Sequence, residues 1–127
     1  MSGSPGFDAF AAIYRSGKAQ LVTAKLIADL ETPVSAFLKL SAGRGGNLLL
    51  LESVEGNAQR GRYSMIGLDP DVIWRCSGAA SEINRRALGD RDAYSPCPGK
   101  PLDALRALLA ESHIEAPPGM PPMSAGV

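Results

Sequence analysis

Apolar residues fall at helical spacing near the start of the chain, where Phe7, Phe10, Ala11 and Tyr14 follow Ser4-Pro5 and lead to Gly17. Positions three and four apart share one helix face, so this spacing predicts a short opening helix stopped by glycine. Residues 21–27 alternate imperfectly and predict a strand. Thr32-Pro33 predicts a helix start, with Thr32 as N-cap and Pro33 at the first helical position. Val34, Phe37, Leu38 and Leu40 would be its buried stripe, and Ser41-Ala42-Gly43 its end.

The clearest strand is 47–54, an apolar run that stops abruptly at Glu52 and Ser53. A polar loop, 55–61, leads to a second strand over 62–68. Asp69-Pro70-Asp71 has turn chemistry, and 72–76 makes a third strand. Ser77-Gly78-Ala79 turns the chain into 81–87, expected as a more polar edge strand. Short links between neighbouring strands imply an antiparallel meander. Residues 88–100 are rich in Gly, Pro and charge and predict a loop. Pro101 restarts a helix, with Leu102, Leu105, Leu108 and Leu109 on one apolar face and Asp103 in the first turn, favourable to the dipole.

This pattern predicts an α+β fold, an antiparallel β-sheet meander with flanking helices. Three stretches follow: an opening helix and strand over 1–27, a domain over 28–115, and a Pro-rich connector over 116–127 that reads as leading to a further domain. With 45% hydrophobic and 20% charged residues among 127, the chain is globular and about one domain long. Thirteen basic residues balance thirteen acidic ones, so no net field recruits nucleic acid or anionic lipid. The longest apolar run, 48–51, is far short of the roughly 20 residues that span a bilayer. The first ten residues lack the charge and apolar run of a signal peptide. A cytoplasmic location is expected, and with it free thiols at Cys76 and Cys97, one of them in the core.

Few residues suggest catalysis. His113 is the only histidine, placed near a helix end where it would meet the dipole. Gly43-Arg44-Gly45-Gly46 precedes a strand and lacks the Gly-Lys-Ser/Thr ending of a phosphate loop, so it reads as a turn. No nucleophile has an evident activating base. In a regular strand Leu48, Leu50 and Glu52 share one face, and Leu49, Leu51 and Ser53 the other. A carboxylate after two buried leucines needs a partner, and Arg60 or Arg62 could supply it.

Leu49-Leu50-Leu51-Glu52-Ser53-Val54-Glu55-Gly56 resembles the amino-terminal region of the anthranilate synthase component I family of chorismate-utilising enzymes. Three further stretches match in family order: Thr32-Pro33-Val34-Ser35-Ala36-Phe37, Gly61-Arg62-Tyr63-Ser64-Met65-Ile66-Gly67 and Pro101-Leu102-Asp103-Ala104-Leu105. The resemblance implies part of a two-domain antiparallel sandwich. It implies an enzyme of tryptophan biosynthesis, a lyase that converts chorismate to anthranilate and pyruvate. Mg2+ and a glutamine amidotransferase subunit serve the complete enzyme, and the chorismate-binding carboxy-terminal domain lies beyond this chain.

What the resemblance places here is one wall of an allosteric pocket for L-tryptophan, with Ser53 and Glu52 as ligand residues and Arg60 and Arg62 in support. No catalytic or metal-binding residue is implied, so the chain alone is expected to be inactive. Because Glu52 and Ser53 cannot both face one pocket from a regular strand, either the strand bulges or one acts through its backbone. Aminodeoxychorismate synthase large subunits share the architecture; the Leu50-Leu51-Glu52-Ser53 and Gly61-Arg62-Tyr63-Ser64 elements favour the anthranilate branch. A non-catalytic small-molecule binding or interaction domain is the alternative of another class.

Overall fold

A computed structural model of the chain describes residues 6–52 and 63–120. They form α1 (Phe7–Arg15), α2 (Pro33–Ser41), β1 (Leu48–Glu52), β2 (Ser64–Leu68), β3 (Ile73–Ser77), β4 (Ala80–Asn84), β5 (Tyr94–Pro96) and α3 (Pro101–Glu111). The fold is α+β, as expected, but the strands make two small antiparallel sheets, β1-β2 and β3-β4-β5. The chain divides into two compact units, one of Met1–Ala28 with Arg106–Val127 and one of Asp29–Leu105.

In the first unit α1 forms where the aromatic spacing predicts it. Asp8 in the first turn and Arg15 in the last complement the dipole. Gly17 follows with φ 72°, a left-handed conformation that glycine adopts without strain. The Phe10 ring sits between those of Phe7, at 6.2 Å, and Tyr14, at 5.8 Å. The strand expected over 21–27 does not form. A strand needs an edge to hydrogen-bond, and none is supplied to it among the described residues; the Gln20 amide instead donates to the Phe10 carbonyl at 3.1 Å.

Helix α2 starts as its sequence dictates. The Ser35 N–H donates to Thr32 Oγ1 at 3.1 Å, and the Thr32 N–H donates to Ser35 Oγ at 2.8 Å, a reciprocal cap with Pro33 in the first turn. Ser35 Oγ donates in turn to Glu31 at 2.7 Å, and Lys39 pairs with the same carboxylate. The helix packs on β1 and β2. Its expected stripe is only partly covered: Phe37 is half-buried, whereas Val34, Leu38 and Leu40 are exposed. Two strands about 4.8 Å apart are narrower than a helix about 10 Å across, so they cannot cover a wide apolar face.

Strands β1 and β2 pair without interruption, Leu48 with Leu68, Leu50 with Ile66 and Glu52 with Ser64. Leu48 and Leu50 are half-buried, while Leu49 and Leu51 on the other face are half exposed. Asp69 then turns the chain with φ 48°, and its carboxylate pairs with Arg44.

The second sheet corrects two expectations. β4 is its central strand, not an edge, and the expected loop 88–100 contains β5. The turn Gly78-Ala79 between Ser77 and Ala80 has φ 59° at Gly78 alone, as a type II′ hairpin requires. At the other end of β4, Asn84 is fully buried. Its amide donates to the Asp90 carbonyl at 2.7 Å, and its side-chain oxygen accepts the Arg86 N–H at 2.8 Å. These bonds fold 85–93 back, so that Tyr94 lands opposite Asn84 and β5 covers the open edge of β4. Arg75, paired with Glu82 at 2.8 Å, lies 3.6 Å over the Tyr94 ring and ties the three strands together on one face.

Neither thiol is in the core. Cys76 is exposed and Cys97 half-buried. Among the described residues the only buried hydrophobic side chains are Ala11 and Ala87. Ser81 Oγ and Trp74 Nε1 are buried without a hydrogen-bond partner. Helix α3 begins at Pro101, but its least exposed stripe is Pro101, Ala104, Leu105 and Leu108; Leu102 and Leu109 lie outside it. That stripe follows 3.6-residue periodicity more closely than the leucines alone.

Candidate effector site at the end of the first strand

The candidate site is set by where β1 stops. Four leucines in a row suit a strand packed on both sides, and Glu52 ends the run with a charge. The ladder is regular through Glu52, which faces Ser64 across the pair. Glu52 therefore lies on the face of Leu48 and Leu50, and Leu51, with Met65 opposite, lies on the other. No bulge interrupts the ladder between Leu48 and Glu52.

Glu52 is exposed. The buried carboxylate that would have needed an arginine is thus not buried, and water solvates it. Ser53, Arg60 and Arg62 lie outside the described residues. Tyr63, 40% exposed, and Ser64 open the returning strand beside Glu52. Chemically this end of the pair offers one anionic carboxylate, a hydroxyl on the strand opposite and, on the other face, the apolar surface of Leu49 and Leu51.

The Glu52–Ser64 juxtaposition was not legible in the sequence. It depends on the register across the connection between β1 and β2, which strand periodicity does not fix. Elsewhere, His113 is exposed beyond the end of α3. Gly43-Arg44-Gly45-Gly46 is a turn, with Gly43 at φ 73°. Among the described residues no three His, Cys, Asp or Glu side chains gather as metal ligands, and no helix is long and apolar enough to cross a membrane.

No family model matches the chain, and no solved structure matches it. Curated relatives do. Anthranilate synthase component 1 of Cereibacter sphaeroides is 50% identical over 121 residues, covering 95% of this chain and 24% of the relative. The protein of that name from Mycolicibacterium smegmatis is 41% identical over 111 residues, 84% of this chain and 19% of the relative. That from Synechocystis is 36% identical over 125 residues, 98% of this chain and 23% of the relative. The chain spans about a fifth to a quarter of the length of the relatives it matches. Identity at this level over nearly the whole chain makes the resemblance one of descent: the chain is homologous to one stretch of anthranilate synthase component 1.

Proposed function

We propose that this chain is the feedback-sensing portion of an anthranilate synthase component 1 and that its effector is free L-tryptophan. In the complete enzyme of this reading, chorismate and ammonia give anthranilate, pyruvate and water. The ammonia comes from a glutamine amidotransferase subunit, and a chorismate-binding carboxy-terminal domain carries the chemistry. Mg2+ would supply charge neutralisation there. The chain by itself is proposed to be inactive, and anthranilate formed from chorismate and ammonium by this chain alone would overturn that part.

The observation that carries the reading is Glu52, a solvated carboxylate that closes an apolar strand in a chain 50% identical to an anthranilate synthase component 1. Tryptophan brings an ammonium that Glu52 can compensate, a polar end that Ser53 can hydrogen-bond, and an indole suited to leucine side chains. Arg60 and Arg62 remain in support, as candidates for the ligand carboxylate or for bracing Glu52.

Magnitudes decide how such a site must be built. An ammonium and a carboxylate about 4 Å apart gain only about 1 kcal/mol in bulk water, and about 4 kcal/mol where water is largely excluded. Micromolar binding needs about 8 kcal/mol. One exposed wall cannot provide this, so a second wall must come from the polypeptide that relatives carry beyond this stretch. Calorimetric titration of tryptophan into this chain, alone and joined to the remainder of the Cereibacter sphaeroides relative, tests the reading. Binding confined to the joined form is expected; binding in neither would remove Glu52 and Ser53 from any effector site.

A further inference from the structure

Residues 21–27, Leu-Val-Thr-Ala-Lys-Leu-Ile, have the composition of a strand without the structure of one. β-branched and aliphatic residues dominate, and neither glycine nor proline occurs between Gly17 and Pro33. A flexible connector would be polar and rich in glycine or serine. The backbone is irregular here, yet exposure alternates, with Leu21 and Thr23 half-buried and Val22 and Ala24 exposed.

Two kinds of group stand open among the described residues. The backbone N–H and C=O groups of Val22, Ala24, Lys25, Leu26 and Ile27 make no hydrogen bond among the described residues. The side chains are as open: Val22 is 65% exposed, Leu26 84%, Ile27 89% and Leu30, just beyond, 97%. A mostly apolar segment whose backbone at Val22 and at 24–27 is unpaired among the described residues is the complement of an open sheet edge, which presents a matching row of donors and acceptors.

We propose that 21–27 is a strand awaiting its partner, and that it adds to a sheet edge in the polypeptide that component 1 relatives carry beyond the matched quarter. The Cereibacter sphaeroides match covers 95% of this chain, so it takes in this segment, while some three quarters of the relative's length lie outside it. Backbone ladder bonds give the affinity in such strand addition, and pockets for alternate side chains give the register. Val22, Ala24 and Leu26 form one wholly apolar face for that packing. Lys25, the one charge in the segment, sits on the other face and disfavours burial of both. The inference rests on the family relationship and not on the tryptophan reading.

Amide hydrogen exchange tests it without any ligand. The 127-residue chain is measured alone at two concentrations, then joined to the remainder of the Cereibacter sphaeroides relative. Amides of Val22 and 24–27 should exchange freely in the chain alone and gain protection of about 100-fold or more in the joined form. In the joined form Ala24→Pro and Lys25→Pro are then compared. Successive N–H groups point to opposite edges of a strand, so one proline should abolish the neighbouring protection and the other should leave it. Should the joined protein fail to fold, the corresponding segment of the natural relative is measured instead, with protection again expected. Three results overturn the proposal: no protection in the longer protein, protection in the chain alone that rises with concentration (a second copy as partner), or protection indifferent to both prolines.

Discussion

Leu49 lies directly across the sheet from Gly67, so close that a Cβ on Gly67 would sit 2.9 Å from Leu49 Cγ and 3.1 and 3.3 Å from its two methyls. What opposes a larger residue there is this neighbour and not the backbone, since the φ of Gly67 is not positive. Gly67→Ala should gain about 0.5–1 kcal/mol from restricting the unfolded chain and lose about 0.5–1.5 kcal/mol by forcing Leu49 off its rotamer. The two nearly cancel in the parent. In a Leu49→Ala background only the gain remains, so the same substitution should stabilise by about 0.5–1 kcal/mol. Urea midpoints of the four proteins measure the coupling; equal effects of Gly67→Ala in both backgrounds would refute the contact.

The cap of α2 carries a pH dependence. Lys39, and then Ser35, hold the Glu31 carboxyl below its ordinary value of 4.5 by hydrogen-bonding its charged form. A folded-state pKa below the unfolded one gives stability that is complete above pH 4.5 and is lost as pH falls through the lowered folded value. Glu31→Gln should therefore flatten the acid limb of a stability curve without moving the region above about pH 6 in slope. Glu31 is only half-buried and its partner Lys39 is exposed, so water screens the pair and the effect is small. Thr32→Ala removes the cap itself and should cost about 1 kcal/mol at all pH values. Urea unfolding followed by far-UV circular dichroism across that range reads both.

In the complete enzyme, Ser53→Phe should relieve feedback by tryptophan and leave chorismate turnover nearly unchanged. The bulky ring would fill the space proposed for the ligand, whereas the same proposal puts the chemistry in another domain. Inhibition curves for parent and variant decide it, and superimposable curves would remove Ser53 from the pocket.

Cys76 and Cys97 should not form a disulfide with each other. Cys76 stands opposite Ser81 on β3, and the Cys97 N–H donates to the Ser81 carbonyl at 2.8 Å from the other side. With β4 between them, their Cα atoms are two strand spacings apart, roughly 9.5 Å, beyond the roughly 7 Å limit for a bridge. Peptide mapping after mild oxidation should find no internal Cys76–Cys97 link, and a maleimide should modify the exposed Cys76 first. An internal link in high yield would contradict the register of β3, β4 and β5.

Local signals were the most legible in the chain. Thr32-Pro33, Gly17 after α1, Gly78 in its hairpin and Pro101 each act within a few residues of their own position. The apolar run at 48–51 marked β1, and its closing Glu52 marked the candidate site. Most of the errors were long-range. β4 was expected at an edge because Ser81, Glu82 and Asn84 look polar; it is central because Asn84 turns its polarity inward, bonding the backbone of Arg86 and Asp90. β5 was hidden in a segment rich in glycine, proline and charge, which only that turn brings alongside β4.

The sequence by itself thus determined the helices, most of the strands and the family resemblance, because capping, turn preference and periodicity act over a few residues and motifs are read in order. Tertiary structure alone decided which strands pair, in what register, and which faces are covered. That is why it put Glu52 opposite Ser64 and in water, separated the thiols by a strand, and left 21–27 irregular, without a ladder. Pairing needs a second edge, and a strand's own residues cannot state where that edge will be found.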